Sequence, residues 1–241
     1  MSGHSKWANI KRKKEGTDAQ RAKIFTQMGR MIAVAIREGG PNPESNSKLR
    51  DVIAKAKAAN VPNDNINRML AKASSTDTSS YDSVTYEGYG PNGIALIVVG
   101  LTDNKNRTSS DIRHYFDKFG RGMGAQGSVA WQFDQKGVLV VEREDRDEDE
   151  FMMEALDCGA DDFTAEDDVF EILTAPENFS EVREALEAKG ITFVTAEVQM
   201  VPQTYITLSN EEDIKSMEKL LDALEENDDV QNVWHNWEQG E

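Results

Sequence analysis

The sequence predicts an α+β protein: a small helical bundle followed by antiparallel sheet with helices packed on it. Three observations carry this. Up to residue 74, apolar residues recur at helical spacing. A Ser/Thr/Asp-rich stretch without periodicity, Ser74 to Ser83, follows as a linker. Beyond it the apolar period falls to two, and strand-like and helix-like stretches alternate to the end of the chain.

The elements follow in order. Thr17-Asp18-Ala19-Gln20 has the form of a capping box, and Phe25, Met28, Ile32 and Ile36 behind it make one apolar stripe. Gly39-Gly40-Pro41 stops that helix, because glycine permits a left-handed cap and proline cannot continue it. Leu49, Val52, Ile53 and Ala56 repeat the stripe as far as Val61-Pro62. Asn63 is placed to cap a third helix carrying Ile66, Met69 and Leu70. After the linker, Val84 to Glu87 and Ile94 to Val99 read as strands around a Gly/Pro turn. Arg107 to Phe119 reads as a helix, Gly120 to Gly127 as a glycine loop, and Val129 to Phe133 as the next strand. Strands at 138–141, 169–173, 193–201, 205–208 and 230–234 alternate with helices at 151–158, 179–188 and 210–226. With Asp162 to Thr164 as a short strand, residues 137–199 run strand-helix-strand-strand-helix-strand, the ferredoxin-like plan. The flanking pieces 94–133 and 204–236 fit either a second copy interrupted by the first or simple sequential domains.

Charge is segregated along the chain. Residues 1–75 hold 15 Lys and Arg against 6 Asp and Glu, the remainder 12 against 38, and the whole carries a formal net charge of -17. Such segregation points to a polyanionic partner for the basic part. The longest apolar run, Ile94 to Val99, is far short of the roughly 18 residues of a membrane span. The N-terminus lacks the apolar core of a secretory signal. A single cysteine, Cys158, and three histidines at unrelated spacing leave no cysteine-based metal cluster and no internal disulfide. The expectation is a cytoplasmic protein with no metal, no cofactor and no membrane contact.

The candidate nucleic-acid contacts begin with Lys6, Lys11, Arg12, Lys13 and Lys14, continued on the first helix by Arg21, Lys23 and Arg30. Each phosphate they neutralise releases counterions, which gives affinity without sequence readout. Trp7 among them either stacks on an unpaired base or packs back on the bundle. Lys48, Arg50, Lys55, Lys57, Arg68 and Lys72 form either a solvated face or an extension of that surface. Lys105 and Arg107, at the start of the 107–119 helix, suit a phosphate, while their Asn and Thr neighbours suit a helix cap. Arg121 sits in a glycine loop read as flexible and able to approach a nucleic-acid backbone. Gly122 to Gly127 matches G-x-G-x-x-G, but a helix precedes it and a strand follows, the reverse of a dinucleotide site. The 32 carboxylates of residues 134–241, against 7 basic residues, read as solubilising faces that repel non-specific nucleic acid. Cys158, on an apolar stripe without a basic neighbour, reads as a structural thiol. No catalytic constellation stands out, so a non-enzymatic protein is expected.

Several stretches resemble the YebC/PmpR family in order along nearly the whole chain. They are Met1 to Lys11, Ala22 to Phe25, Ala58 to Pro62, Tyr86 to Pro91, Leu101 to Thr108 and Gly127 to Ala130. The resemblance implies a helical N-terminal domain followed by two α+β domains, one inserted in the other. The boundaries are then 1–76 for the basic helical domain, 84–134 plus 204–241 for a discontinuous domain, and 135–203 for an acidic ferredoxin-like insert. It implies a DNA-binding transcriptional regulator; the alternative, drawn from relatives tied to translation, is a ribosome-associated factor binding ribosomal RNA. It also implies a bacterial cytoplasmic chain starting at Met1 with no cleaved leader. The basic run Lys11 to Gly16 departs from the family pattern through Glu15, and Asn92 stands where the family usually shows glycine.

Overall fold

The computed structural model describes residues 18–74, 80–144 and 146–238. Three helices come first: α1 (Asp18–Gly39), α2 (Ser47–Ala58) and α3 (Asn63–Ala73). The expected stripes close on one another, with Ile32, Leu49, Val52 and Ala73 in one cluster and Met28, Ala56, Val61 and Ile66 in the next. Gly40, at φ +84, stops α1 as expected, its N–H reaching the Ile36 carbonyl. The α1–α2 turn is fixed by Asn46. Its side chain caps α2 through the Leu49 N–H and donates back to the Ala35 and Gly40 carbonyls at 2.8 Å. The capping residue expected at Thr17 lies outside the described residues. Pro62 rather than Asn63 occupies the cap position of α3, with no side-chain cap.

Strands β1 (Asp82–Tyr89) and β2 (Ala95–Thr102) pair antiparallel around a short turn at Pro91–Gly93. Asn92 takes the left-handed conformation there (φ 52, ψ 28), which explains why glycine suits this position and why asparagine is the best substitute. Helix α4 (Lys105–Phe119) follows. Then come β3 (Phe133–Glu142), α5 (Glu148–Asp157), β4 (Asp162–Ala165), β5 (Val169–Thr174), α6 (Phe179–Ala188) and β6 (Thr195–Pro202). Their sheet order, β4-β5-β3-β6 with every pairing antiparallel, is that of a ferredoxin-like sheet. Its core joins Leu139, Phe151, Phe170, Ile172, Val182 and Leu186. Cys158 caps α5 half-buried against that core.

The chain ends with β7 (Ile206–Thr207), α7 (Glu211–Glu226), β8 (Val230–His235) and β9 (Trp237–Glu238). β8 returns to pair with β2, giving the order β1-β2-β8. β2 is buried on both faces. Leu96 and Val98 meet Ile112 and Phe116 of α4 and Met217 and Leu220 of α7. Ala95 and Ile97 meet Val129 and Phe133. Two expected strands come out differently. Tyr205–Leu208 shrinks to two residues that pair parallel with β9 instead of joining the main sheet. Val129–Phe133 is mostly a helical turn at Ala130–Gln132, because a buried carboxylate takes the N–H groups a ladder would need.

Candidate nucleic-acid interface

The expected site residues divide by where their charge goes. Lys6, Trp7, Lys11, Arg12, Lys13 and Lys14 lie outside the described residues. Arg21 is exposed at the start of α1, on the wall of a cavity of about 760 Å³ between α1, the α2–α3 turn, β6 and β8. Phe25, Met31, Met200, Trp234 and Trp237 give that cavity its apolar character. Lys23 is half-buried.

Arg30 points inward. Its side chain is 14% exposed, and Nη1 donates to the Asp229 carboxylate at 2.6 Å and to the Leu101 carbonyl at 2.7 Å. The guanidinium also lies over the Tyr81 ring. Arg107 reaches the other oxygen of Asp229 at 2.8 Å and Asp103 at 2.9 Å. The hydroxyls of Thr102 and Thr108 donate to that same oxygen, and the Asn104 side chain caps α4 through the Arg107 N–H. Thus Leu101 to Thr108, whose sequence suits a phosphate site, wraps an internal carboxylate instead. Burial alone would push the Asp229 carboxyl up. The hydrogen bonds from Arg107, Thr108 and Arg30 outweigh burial and hold it down at about 2. Its bonds to Asp229 and Asp103 raise the Arg107 guanidinium above its ordinary value, although its side chain stays half exposed. Gln27 adds a bond to the Val230 carbonyl, so α1 is latched to the end of the β1-β2-β8 sheet.

A second buried carboxylate shapes the glycine loop. Glu87 on β1 accepts from the N–H groups of Gly127, Val129 and Ala130 at 2.6, 2.7 and 2.9 Å. Burial raises its pKa, and these three bonds more than offset that, so the net shift is downward. The Gly124 N–H bonds the Glu87 carbonyl, and the Arg121 N–H bonds the Tyr89 carbonyl. The loop expected to be flexible is therefore stitched to β1 at several points. Gly124 has no room for a side chain beside Ser128. Arg121 projects from this loop, 67% exposed, with Asp213 at 3.8 Å as a distant counter-ion. Trp131, which no sequence signal singled out, stands four residues beyond the loop, in the Ala130–Gln132 turn, and is 69% exposed.

The remaining basic residues are partly paired. Lys105 meets Asp82 at 3.3 Å and Lys48 meets Glu38 at 2.5 Å, both exposed. Arg50 and Lys55 reach across to Glu184 and Glu197 of the ferredoxin-like sheet domain. Beside them Asp51 takes Arg183 at 3.1 Å and the Ser180 hydroxyl at 2.8 Å. Two of the six residues of the second basic set, Arg50 and Lys55, thus hold the helices against the acidic domain, and Lys57, Arg68 and Lys72 lie on exposed positions. Among the described residues no group of His, Cys, Asp or Glu is placed to hold a metal ion, and no helix is long and apolar enough to cross a membrane.

Comparison with known proteins gives a consistent result. Residues 5–76 match the family model described as the TACO1/YebC protein N-terminal domain, and residues 81–237 match that of the TACO1/YebC second and third domain. A "Probable transcriptional regulatory protein" of Acetivibrio thermocellus is 60% identical over 239 residues, covering 98% of this chain and 99% of the relative. One of the same description from Caldicellulosiruptor bescii is 54% identical over 243 residues, covering all of both. The crystal structure of a conserved hypothetical protein from Aquifex aeolicus superposes with a TM-score of 0.82 at 42% identity, covering 93% of each chain. The chain belongs to the TACO1/YebC family.

Proposed function

We propose that this protein is a non-enzymatic regulator that acts by binding nucleic acid, with promoter DNA as its target. The observation that carries the reading is the charge segregation: 15 basic against 6 acidic residues up to position 75, and 12 against 38 beyond it. The contact surface is the basic segment Lys6 to Lys14 with Arg21, and the exposed Lys57, Arg68 and Lys72 extend it; Lys23 leaves it, because its Nζ is buried. Arg30 and Arg107 leave that surface, because Asp229 holds both. The names of the relatives agree with a regulatory role.

A second reading, a ribosome-associated factor bound to ribosomal RNA, is favoured by one feature. The stitched glycine loop and the Ala130–Gln132 turn after it offer an arginine and a solvent-facing tryptophan, a pairing suited to unpaired bases. Sedimentation of cell lysate with and without ribonuclease separates the two. The DNA reading expects the protein at the top of the gradient in both, with recovery of discrete chromosomal sites after crosslinking. Ribonuclease-sensitive migration with ribosomes would replace it by the RNA reading.

A further inference from the structure

We infer that Trp131 is a stacking platform for an unpaired nucleobase and that Arg121, from the glycine loop in the same α4–β3 connection, holds the adjoining phosphate. The inference rests on the nucleic-acid reading and deepens it. A tryptophan 69% exposed is unusual in itself, since large aromatics are ordinarily well covered. This one is also held in place. Its Nε1–H donates to the Ser128 carbonyl at 3.0 Å, and the Tyr89 hydroxyl donates to that same carbonyl. With its N–H taken, the indole offers a partner π surface and no donor. The backbone around it is fixed by Glu87, which binds Gly127, Val129 and Ala130. Arg121 is anchored two residues further along β1, through Tyr89. Both side chains thus leave the connection between α4 and β3, Arg121 from the glycine loop and Trp131 from the Ala130–Gln132 turn, and the bonds that hold both pieces end on Glu87 and Tyr89. A preordered platform loses little entropy on binding.

Charge favours an anionic partner. Residues 118–133 contain Lys118 and Arg121 and no carboxylate, between the exposed Asp117 and Asp134 and with Asp213 at 3.8 Å from Arg121. The Glu87 carboxylate nearby is buried and saturated by backbone N–H groups. A base stacked on Trp131 with its phosphate on Arg121 satisfies both features, whereas paired bases keep their faces inside a duplex.

The test is a titration of the full chain with labelled single-stranded RNA, single-stranded DNA and the matching duplexes, comparing wild type with Trp131→Ala and Trp131→Phe. Because Trp131 is exposed, both variants should melt with the wild type. Trp131→Ala is expected to weaken single-strand binding roughly tenfold, the contribution of one stacked base. Trp131→Phe should recover most of that, and duplex affinity and salt dependence should not change. Equal single-strand binding by Trp131→Ala and wild type would overturn the inference while leaving the nucleic-acid reading intact; so would equal losses on single strand and duplex. Failure of the wild type to bind any of these ligands would overturn both.

Discussion

Asp229 and Glu87 are both buried carboxylates, and the fold neutralises them by different means. Asp229 uses side chains drawn from distant parts of the chain: Arg30 from α1, and Thr102, Arg107 and Thr108 from the end of β2 and the start of α4. Glu87 uses backbone N–H groups of one loop. The first arrangement fastens elements together, and the second sculpts a loop. The difference matters for function because it sorts the arginines. Those around Asp229 are structural, and Arg121, on the loop shaped by Glu87, keeps its charge outward.

The largest expected effect comes from removing the cationic type of solution. Asp229→Ala leaves Arg30 buried without a counter-charge, which should cost roughly 3–5 kcal/mol, read as a shift in the urea midpoint at unchanged slope. A loss below about 1 kcal/mol would mean that the latch is no stronger than a surface ion pair.

Acid offers a second comparison. Both folded pKa values are depressed, so both carboxylates stabilise the fold above the usual carboxylate range and lose that contribution as pH falls. For Asp229, held down at about 2, the loss falls between about pH 4 and pH 2 and amounts to roughly 2 kcal/mol. Asp229→Ala should flatten the stability profile across that window, and a profile parallel to the wild type would break the assignment.

Glu87→Gln should cost less, about 1–3 kcal/mol, because three backbone N–H groups then face a neutral amide. Hydrogen exchange should accelerate at Gly127, Val129 and Ala130, with α1 unaffected. Acceleration spread evenly over the molecule would deny the loop its separate anchoring. The smallest effect is expected at Arg50→Ala, which breaks an exposed pair with Glu184 and should change stability by roughly 0–1 kcal/mol.

Much of the architecture was legible in the sequence because it rests on local signals. The stripes through Ile32, Leu49 and Ile66 and the stop at Gly40 appear in the structure where periodicity and turn chemistry put them. The ferredoxin-like sheet could be read because its strands are short, apolar and regularly spaced. What failed to show was long-range. Asp229 ends the acidic stretch Glu225-Glu226-Asn227-Asp228-Asp229, and nothing local marks it as the carboxylate that meets an arginine 199 residues away. Arg30 and Arg107 consequently looked like free cations. Val129–Phe133 carried a strand pattern, but Glu87, 42 residues earlier, captured its N–H groups. Trp131 was absorbed into that false strand, where alternation hides an exposed aromatic. The one signal within reach was Glu87 itself, a lone carboxylate in the otherwise uncharged run Val84 to Gly90.

If the basic N-terminal segment meets phosphates while the arginines around Asp229 do not, the salt dependence of nucleic-acid binding will separate three proteins. They are the wild type, a variant with Lys11, Arg12, Lys13 and Lys14 all changed to Glu, and Arg107→Gln. On duplex DNA the slope of log affinity against log salt should flatten by about 0.9 for each phosphate that is no longer neutralised. A marked flattening is expected in the charge-reversed segment, and an unchanged slope in Arg107→Gln. An unchanged slope in the first variant, or flattening in the second, would contradict this division of the basic residues.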